Sequence, residues 1–478
     1  MSRLDAMRST LEACRQSHLL QHIDGLSEID QDVLLKRLES LPLESLPAMI
    51  EQLVLAAPVA GDGDLHPAPC VCIKPEQACD SVDLIDAEDL RVRGEAMLEA
   101  GRVAAFTVAG GQGTRLGWNG PKGTFPASPV SGKPLFRLFA EQILAAERRW
   151  GRTIRWYIMT SESNDSQTRA FFLDNRCFGL DRRQIMMFPQ GMMPAFDMKT
   201  GKILLERPGV PVMSPDGHGG SFHALLASGA IDHMEGRGIE AISYFQVDNP
   251  LSPVLDPVFL GLHADKAHSS GEFTSKMVSK AGPDEKVGVF AFINARLGVV
   301  EYTDLSEAEA QSTDESGRLR FAAGNSAMHI ISTDFARRVA TAGQDDLPWH
   351  RAVKKVSHID LRTGELITPD EPNAIKLERF VFDAMGIAAK PAILEVDRAE
   401  QFAPIKNATG TDSAESSKQM QSDLYGEWLE QAGVQVPRRD DGHIDAAIEI
   451  SPLTAMSASD LEGVDLPSKI AKGVSFAC

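Results

Sequence analysis

The sequence contains few cysteines and no long apolar run. Its six cysteines in 478 residues are too sparse for the disulfide framework of a small secreted protein. No stretch approaches the ~20 consecutive apolar residues of a membrane span, and charged residues interrupt the N-terminal segment where a signal peptide would have its apolar core. We therefore expect a cytoplasmic protein with no membrane partner.

Positive charge is also scarce, since 48 lysines and arginines face 67 aspartates and glutamates and leave a formal net charge of −19. This balance argues against a general nucleic-acid-binding surface, so an anionic substrate would need positive charge gathered locally. The composition is otherwise that of an ordinary globular protein. Because 478 residues exceed one comfortable hydrophobic core, we expect two or three domains.

One group of cysteines raises the question of a zinc site. Cys70, Cys72 and Cys79 lie near His66 in the sequence, but their C-x-C-x₆-C spacing lacks the paired C-x₂-C geometry of structural zinc sites. Bystander thiols in a linker are the better interpretation, and the role of this group stays open.

Three regions follow one another along the chain. Residues 1–95 contain leucines spaced three and four apart, typical of amphipathic helices, followed by a connector rich in proline and glycine. Residues 96–385 alternate strand and helix patterns, which favours an α/β fold whose parallel sheet is covered on both faces. Residues 386–478 are expected to form a small C-terminal domain.

The apolar patterns predict individual elements of this fold. The strand candidates are residues 103–108, 154–159, 185–188, 241–247, 273–278, 287–293, 328–332 and 391–396, and the helix candidates are residues 135–150, 165–175 and 222–229. Residues 372–383 also have helical propensity. Residues 409–422 are rich in polar side chains and are expected to form a loop.

The most informative stretch is a glycine loop directly after the strand candidate 103–108. Glycines let the backbone approach a ligand closely, so that consecutive N–H groups can converge on phosphate oxygens. Arg115 and Lys122 bring positive charge to the same place. The stretch predicts a nucleoside triphosphate site, with a structural turn as the alternative, and its candidate nucleotide-binding residues are Ala109, Gly110, Gly111, Gln112 and Gly113.

Two familiar phosphate-binding motifs are missing from the chain. The P-loop pattern fails because Gly132-Lys133 and Gly201-Lys202 lack both the upstream glycine and the following hydroxyl residue. Gly111, Gly113 and Gly117 are spaced G-x-G-x-x-x-G, one residue longer than the dinucleotide fingerprint. The second mismatch disfavours a nicotinamide-dependent oxidoreductase.

Three more candidates lie at predicted strand ends or in a second glycine loop, where open α/β sheets bind ligands. Gln190 follows the strand candidate 185–188, and its amide offers the donor and acceptor that suit a pyrimidine edge. Gly217 opens a predicted helix with N–H groups available to a base carbonyl or a phosphate. Asp248 ends the candidate 241–247, where a carboxylate suits Mg²⁺, with an Asx turn or helix cap as the alternative.

The string AGGQGTRLG followed by PKG resembles the signature of the UDP-sugar pyrophosphorylases, and blocks from about residue 16 to residue 406 resemble the UDP-N-acetylglucosamine pyrophosphorylase type. The resemblance implies a Rossmann-like nucleotidyltransferase core with a mixed, mostly parallel sheet and helices on both faces. It also implies the reversible reaction of UTP and a sugar 1-phosphate to UDP-sugar and pyrophosphate, with Mg²⁺ as cofactor.

The resemblance assigns roles to residues of the nucleotide site. The block PQGMMPA is similar to a family block whose glutamine reads uracil, which implies that role for Gln190. The backbone of Gly217 would also bind uracil, and Asp248 would hold Mg²⁺. In the block PNAIKLERFVFD, Lys376 would contact the phosphates, and Ile405-Lys406-Asn407 resembles an LKN block whose lysine does the same.

The resemblance also implies a set of sugar-binding residues: Gly288, Glu301, Tyr302, Asn325, Phe380, Phe382, His218 and Lys406. For the two phenylalanines, core packing is an equally good interpretation. The family usually has asparagine at the position of His218, and Met328 also replaces a family asparagine. Both departures put the sugar contacts in doubt.

These assignments predict a uridylyltransferase that prefers N-acetylglucosamine 1-phosphate. The sugar phosphate would attack the α-phosphorus of UTP in line, and its oxygen is already anionic, so Arg115, Lys122 and Lys406 would act by charge and position rather than as a base. Alternatives are a glucose-1-phosphate or broad-specificity enzyme and a non-catalytic nucleotide-sugar-binding protein. Oligomeric state, physiological direction and movement of the C-terminal domain stay open.

Overall fold

The computed structural model describes residues 2–57, 64–74, 83–342 and 347–478, so Cys79 and parts of the predicted connector lie outside the described residues. The helices are α1 Arg3–Ala13, α2 Glu28–Glu39, α3 Leu46–Met49, α4 Ala87–Glu99, α5 Leu135–Trp150, α6 Asp165–Asp174, α7 Ser221–Ala227, α8 Ala230–Glu235, α9 Pro257–Ala264, α10 Glu307–Gln311, α11 Thr333–Thr341, α12 Arg398–Gln401 and α13 Ala414–Gln431. None of the helices in these described stretches is long and apolar enough to cross a membrane.

The strands are β1 Leu65–Pro67, β2 Val71–Cys72, β3 Asp83–Leu84, β4 Val103–Val108, β5 Arg155–Thr160, β6 Ile185–Pro189, β7 Met192–Pro194, β8 Phe196–Asp197, β9 Leu205–Arg207, β10 Val210–Pro211, β11 Met213–Pro215, β12 Ala241–Gln246, β13 Phe273–Ser279, β14 Val289–Ile293, β15 Arg296–Val300, β16 Ala323–Ser332, β17 His350–Lys354, β18 His358–Ile359, β19 Leu366–Ile367, β20 Ala374–Glu378, β21 Ala392–Glu395, β22 Ala447–Glu449 and β23 Ser475–Ala477.

The chain forms two compact units that each draw on separated stretches. Unit 1 contains Met1–Asp62, Gln190–His223 and Val339–Asp383, and unit 2 contains Gly63–Pro189, Ala224–Arg338 and Ala384–Cys478. These units group residues that pack together, so they do not test the division of the chain into consecutive functional regions. The expected regions 1–95, 96–385 and 386–478 stay a prediction.

Unit 2 is built on one large mixed sheet in the strand order β3-β2-β21-β13-β16-β12-β4-β5-β6. The pairs β12–β4, β4–β5 and β5–β6 are parallel, whereas β16 runs antiparallel between β13 and β12. Within the parallel part, Val108 of β4 is opposite Gln246 of β12 and Met159 of β5. Because these three strands end together, the residues that follow them lie along one edge of the sheet.

Helices cover both faces of this sheet, as two neighbouring residues of β5 show. Trp156 packs against Phe136 of α5, with ring centroids 6.3 Å apart. Tyr157 points to the opposite face, as adjacent strand residues must, and its hydroxyl lies 2.6 Å from Nδ1 of His233 in α8. The predicted mixed, mostly parallel sheet with helices on both faces is confirmed.

Helix α5 shows how local sequence determines one of these covering elements. Its buried residues repeat at three and four, and Gly151 ends it with a φ of 63°, the left-handed conformation that glycine adopts without strain. Both ends agree with the helix predicted over residues 135–150. Strand β4 likewise agrees with the prediction for residues 103–108, whereas β16 begins at Ala323 instead of residue 328.

Unit 1 combines the N-terminal helices with small antiparallel sheets. Strands β17, β20 and β8 form one sheet, and the leucines of α1 and α2 pack in a shared core with Phe196, Ile375 and Leu377. Gln16 ties the N-terminal region to this unit: its Nε2 donates to the Gly201 carbonyl at 3.0 Å, and its Oε1 accepts from the Ile203 amide at 2.9 Å. The predicted helical N-terminal region is confirmed.

The helical propensity of residues 372–383 is overruled by the structure. Residues Ala374–Glu378 form strand β20, which pairs antiparallel with β17, and a 3-10 helix over Val381–Gly386 follows. Pairing with a strand distant in sequence supplies hydrogen bonds and burial that a single-sequence propensity cannot register. The expectation of a helix here was wrong.

The loop expected over residues 409–422 is wrong from residue 414 onward, because α13 begins at Ala414. Ser413 caps this helix in a reciprocal capping box with Ser416. Two of its polar residues are buried with partners: the Ser417 hydroxyl donates to the Ala403 carbonyl at 2.6 Å, and Nε2 of Gln421 donates to the Ala127 carbonyl at 3.0 Å. Polar composition alone suggested disorder, whereas tertiary hydrogen bonds order the segment.

Candidate active site

The glycine loop after β4 is closed by backbone hydrogen bonds. The Lys122 amide donates to the Gly111 carbonyl at 3.0 Å, and the Gly113 amide donates to the Gly120 carbonyl at 2.9 Å. Glycine is required at position 113, since a Cβ there would lie 2.8 Å from the Trp118 side chain. The loop therefore folds back on itself and places Lys122 beside its own beginning.

A buried asparagine that the sequence analysis missed supports this loop from the neighbouring strand. Nδ2 of Asn164 donates to the Ala109 carbonyl at 2.9 Å and to the Gly111 carbonyl at 3.3 Å, while its Oδ1 accepts from the Ser161 amide at 2.9 Å. Its place just past the carboxyl end of β5 is a signal that could have identified it.

Lys122 and Asp248 lie together at the edge of the sheet of unit 2. Nζ of Lys122 is 3.4 Å from Oδ2 of Asp248, and the two side chains are 19% and 14% exposed. The parallel register of β4 and β12 explains the meeting, because both residues follow strands that end at the same level. The helix-cap alternative for Asp248 is not supported, since Asp256 caps α9.

Two further cations belong to the same unit. Arg115 is exposed on the 3-10 turn Thr114–Leu116, and no carboxylate of the described residues pairs with it. Lys406 follows Ile405, whose amide donates to the Asp248 carbonyl at 2.8 Å, and its Nζ lies 3.8 Å from Oδ2 of Asp412. The chain therefore brings Lys406 to the turn that holds Asp248.

The predicted sugar residues of unit 2 gather around the hairpin of β14 and β15. The Asn325 amide donates to the Gly288 carbonyl at 2.8 Å. A Cβ on Gly288 would lie 3.3 Å from Oε1 of Glu301, so Gly288, Glu301 and Asn325 are neighbours. Tyr302, the next residue after Glu301, is 42% exposed. Met328 is 2% exposed and belongs to the hydrophobic core, so it does not line a pocket.

The predicted uracil-binding residues lie in unit 1. Gln190 is buried, and its side chain makes no hydrogen bond to any residue that the structure describes. The Asp216 amide donates to the Gly191 carbonyl at 3.1 Å, and this bond links the loop of Gln190 to the glycine loop that contains Gly217. Gly217 has a φ of 86°, and a Cβ there would lie 2.3 Å from the Arg379 carbonyl, so only glycine fits.

Asp216 and Arg379, which sequence reasoning missed, are joined through their backbones beside Gly217. The Arg379 amide donates to the Asp216 carbonyl at 2.8 Å, and its guanidinium lies 3.9 Å from the centroid of the Trp349 ring. Burial raises the pKa of Asp216 to about 6, although the positive charge of Arg379 lowers it. The backbone contacts hold the residues around Gly217 against β20.

His218 sits in a cluster of aromatic rings with the two predicted phenylalanines. Its ring stacks on Phe380 with centroids 5.2 Å apart and lies 5.5 Å from Phe382. Its Nδ1 accepts from the Val381 amide at 3.1 Å, and burial lowers the pKa of His218 to about 4. The ring is therefore neutral with its proton on Nε2, which can only donate a hydrogen bond.

A second histidine, also missed from the sequence, completes the cluster. His350 stacks on Phe380 with centroids 4.3 Å apart, and its Nε2 lies 2.8 Å from Oδ2 of Asp383. Lys376 lies in strand β20 opposite Ala352 and is half-buried. Phe382 is buried whereas Phe380 is half-buried, so only Phe380 has an appreciable surface for a ligand.

Cys70 and Cys72 of the cysteine group lie in the described residues, whereas Cys79 does not. Sγ of Cys72 lies 3.1 Å from Oε2 of Glu395, Sγ of Cys70 lies 3.2 Å from Sδ of Met277, and His66 pairs with Asp64. Across the described parts of the chain, no three His, Cys, Asp or Glu side chains come together as a metal site.

Sequence and structure comparisons find relatives that match most of the chain. The model of a family described as UTP–glucose-1-phosphate uridylyltransferase matches residues 69–430. The chain is 35% identical to UDP-N-acetylglucosamine diphosphorylase 2 of Arabidopsis thaliana, covering 92% of this chain and 88% of that protein. It is also 35% identical to the UDP-N-acetylglucosamine pyrophosphorylase of Saccharomyces cerevisiae, covering 87% and 89%. The crystal structure of the uridine diphosphate N-acetylglucosamine pyrophosphorylase from Trypanosoma brucei in complex with inhibitor superposes with a TM-score of 0.78 at 27% identity, covering 98% of both chains.

Proposed function

The chain belongs to the UTP–glucose-1-phosphate uridylyltransferase family, and from this membership we propose that it forms UDP-N-acetylglucosamine and pyrophosphate from UTP and N-acetylglucosamine 1-phosphate. One observation carries the proposal. A glycine loop, a lysine and a carboxylate meet at the edge of the sheet, with Lys122 and Asp248 3.4 Å apart. Such an arrangement suits a magnesium nucleotide, whose phosphates need cations and whose metal needs oxygen ligands.

The triphosphate would be held by backbone amides and by four cations. The N–H groups of Gly110, Gly111 and Gln112 suit phosphate oxygens because the glycines allow close approach, whereas those of Ala109 and Gly113 donate to the carbonyls of Met159 and Gly120. Arg115 can bind two oxygens at once through its planar guanidinium, whereas a lysine acts as a point charge. The proposed phosphate lysines are Lys122, Lys376 and Lys406. A non-catalytic binding protein would be expected to have lost some of these charges, and none is missing.

Mg²⁺ is proposed as the cofactor, with Asp248 as its protein ligand. The donor set fits the ion, since Asp248 supplies a hard carboxylate oxygen and the described residues offer no closed cage of ligands around it. Mg²⁺ is commonly bound by one or two carboxylates, and substrate phosphates and water complete its coordination. When bound, the ion would neutralise charge on the α-phosphate.

Gln190 and Gly217 are proposed to recognise uracil. The glutamine amide can accept from N3–H and donate to O4 of uracil, and the carbonyl or amide of Gly217 adds a backbone contact. Cytosine reverses both positions, because N3 becomes an acceptor and O4 becomes an amino donor. Because no described residue holds the Gln190 amide in one orientation, the amide can turn over to match cytosine, so we expect the protein to use UTP better than CTP, measured as kcat/KM, by a factor set by the backbone contact of Gly217.

The residues proposed for sugar binding are Gly288, Glu301, Tyr302 and Asn325 around the hairpin of β14 and β15, and His218 and Phe380 in the aromatic cluster, where buried Phe382 packs against Phe380. Nε2–H of His218 can donate to an oxygen of the sugar, and the adjacent ring of Phe380 offers an apolar surface. An acetamido group supplies both counterparts, a carbonyl oxygen and a methyl group. This match favours N-acetylglucosamine 1-phosphate over glucose 1-phosphate.

The chemical step is a single displacement at phosphorus. An oxygen of the sugar 1-phosphate forms a bond to the α-phosphorus of UTP while the bond from that phosphorus to the bridging oxygen of the β-phosphate breaks. Pyrophosphate leaves with the electron pair. The attacking oxygen is anionic at neutral pH, so the residues of the chain need only hold the reactants in line and balance their charge.

Pyrophosphate release with UTP tests the proposal directly. The rate is measured against the 1-phosphates of N-acetylglucosamine, N-acetylgalactosamine, glucose and galactose, with Mg²⁺ present and then removed by chelation. We expect N-acetylglucosamine 1-phosphate to give the highest kcat/KM and chelation to stop the reaction. A preference for glucose 1-phosphate would move the assignment to a glucose enzyme, and no turnover with any sugar would refute the transferase. The cytoplasmic location stays a prediction.

A further inference from the structure

Asn249 follows the proposed metal ligand Asp248 and has no role assigned so far. The residue is 3% exposed, and its side chain bonds to a segment far along the chain. Nδ2 of Asn249 donates to the Gln401 carbonyl at 2.7 Å, and Oδ1 accepts from the Ala403 amide at 3.0 Å. The amide thus binds one carbonyl and one N–H of the same segment.

The backbone joins the same two segments a second time. The Ile405 amide donates to the Asp248 carbonyl at 2.8 Å, and the next residue is Lys406. Oδ1 of Asn249 also accepts from the Leu251 amide at 3.2 Å, which holds the asparagine's own turn. Three hydrogen bonds therefore connect the turn at Asp248 to the segment that ends in Lys406.

The segment bound by Asn249 is itself well supported. Oε1 of Gln401 accepts from Nζ of Lys276 at 2.7 Å, and the carbonyl of Ala403 accepts from the Ser417 hydroxyl at 2.6 Å. Phe402 and Ile405 are buried in the main hydrophobic core of unit 2. Because hydrogen bonds and core packing hold this segment, we expect a change at Asn249 to shift the Asp248 turn relative to it.

We infer that Asn249 is a positioning residue that fixes the Asp248 carboxylate relative to Lys406. The inference rests on the proposed function, in which Asp248 holds the metal and Lys406 contacts phosphate. A reaction that depends on position and charge is sensitive to such a link, since a misplacement of about 1 Å can cost about 100-fold in rate. Asn249 itself does not contact the reacting atoms.

The variant Asn249→Asp tests this with almost no change of shape. A carboxylate keeps the acceptor for Ala403 and Leu251 but cannot donate to the Gln401 carbonyl, which it would repel. We expect kcat to fall about 100-fold at pH 8, and the Mg²⁺ concentration for half-maximal rate to rise. Binding of Mn²⁺ in the presence of UTP, followed by electron paramagnetic resonance without turnover, should weaken about tenfold or more.

Asn373→Asp is the matched control, because Asn373 makes the same pair of bonds in unit 1. Its Oδ1 accepts from the Val356 amide at 2.8 Å, and its Nδ2 donates to the Val356 carbonyl at 3.0 Å. Both variants should lose a few degrees of Tm. Only Asn249→Asp should change Mn²⁺ binding, and assays well below both Tm values separate the two effects.

The outcomes distinguish the inference from the proposed function. If wild-type protein releases no pyrophosphate from UTP with any sugar 1-phosphate, the proposed function fails. If the wild type is active and Asn249→Asp has wild-type kcat and Mn²⁺ binding, the positioning role is refuted. A loss of activity in Asn249→Asp with unchanged Mn²⁺ binding also refutes it.

Discussion

Replacing Lys122 by methionine should tighten metal binding to the nucleotide-free protein while it slows the reaction. Nζ of Lys122 lies 3.4 Å from Oδ2 of Asp248, so the lysine neutralises the carboxylate that Mg²⁺ is proposed to use. A metal ion that binds without nucleotide must displace this ammonium group. When UTP is bound, the ammonium group of Lys122 no longer has to compete with the metal, because the phosphates of UTP offer the lysine a new partner and supply further ligands to the metal.

The distance allows an estimate of the size of the effect. Two unit charges 3.4 Å apart attract each other by about 5 kcal/mol at an effective dielectric constant of about 20. The cost of removing both charges from water cancels most of this attraction. A remainder of about 1–2 kcal/mol corresponds to a 5- to 30-fold change in an equilibrium constant. Lys122→Met should therefore bind Mn²⁺ about 5- to 30-fold more tightly when no nucleotide is present.

Titration of free Mn²⁺ by electron paramagnetic resonance measures this affinity directly. The double variant Lys122→Met, Asp248→Asn is the control, because it lacks the carboxylate and should lose the gain. Turnover of Lys122→Met should fall about 100-fold, since a cation that balances transition-state charge is removed. An unchanged Kd for Mn²⁺ in Lys122→Met, or a gain that persists in the double variant, would refute the pairing argument.

Three further predictions concern unit 1. Gly217→Ala should raise the KM for UTP at least tenfold and lower the free energy of unfolding by about 1–3 kcal/mol, because residue 217 has a φ of 86° and a Cβ there would lie 2.3 Å from the Arg379 carbonyl. Gly229→Ala is the control, because residue 229 has a φ of 75° but open space around it. It should show only the loss of stability, measured by thermal unfolding. Burial raises the pKa of Asp216 to about 6, so ionisation of this carboxyl opposes folding. The wild type should therefore lose about 3 kcal/mol of unfolding free energy relative to Asp216→Asn as the pH rises from about 4 to 6, measured by urea unfolding. A difference between the two proteins that does not change with pH would contradict this. His218→Asn should improve kcat/KM for glucosamine 1-phosphate at least tenfold relative to that for N-acetylglucosamine 1-phosphate. The reason is that Nε2–H of His218 cannot accept a hydrogen bond from an ammonium group, whereas an asparagine amide oxygen can. An unchanged ratio of the two kcat/KM values would remove His218 from the sugar site.

Local sequence was sufficient to predict the elements that build the edge of the sheet. Strand β4, helix α5 and the glycine loop each carry their signal within a few residues, as an apolar run, a helical period with a terminal glycine, or a cluster of glycines. Lys122 and Asp248 were predicted separately from such signals. Their distance of 3.4 Å follows only from the parallel register of β4 and β12.

The errors occurred where distant partners outweigh local preference. Residues Ala374–Glu378 became strand β20 because β17 and β8 provide hydrogen-bonding edges that the segment itself does not reveal. Helix α13 formed in a polar stretch because Ser417 and Gln421 find buried partners elsewhere. In both cases the deciding hydrogen bonds join residues that are far apart along the chain.

The sequence by itself determined the class of sheet, the glycine loop and the charged residues after the strands, because glycine conformation, apolar periodicity and charge are properties of single residues and their near neighbours. Tertiary structure alone decided which groups hold these residues in place. Asn164, Asn249 and His350 each act through partners that only folding brings near: two loop carbonyls, the segment before Lys406, and the ring of Phe380. Their positions depend on long-range hydrogen bonds and stacking, which no local pattern encodes.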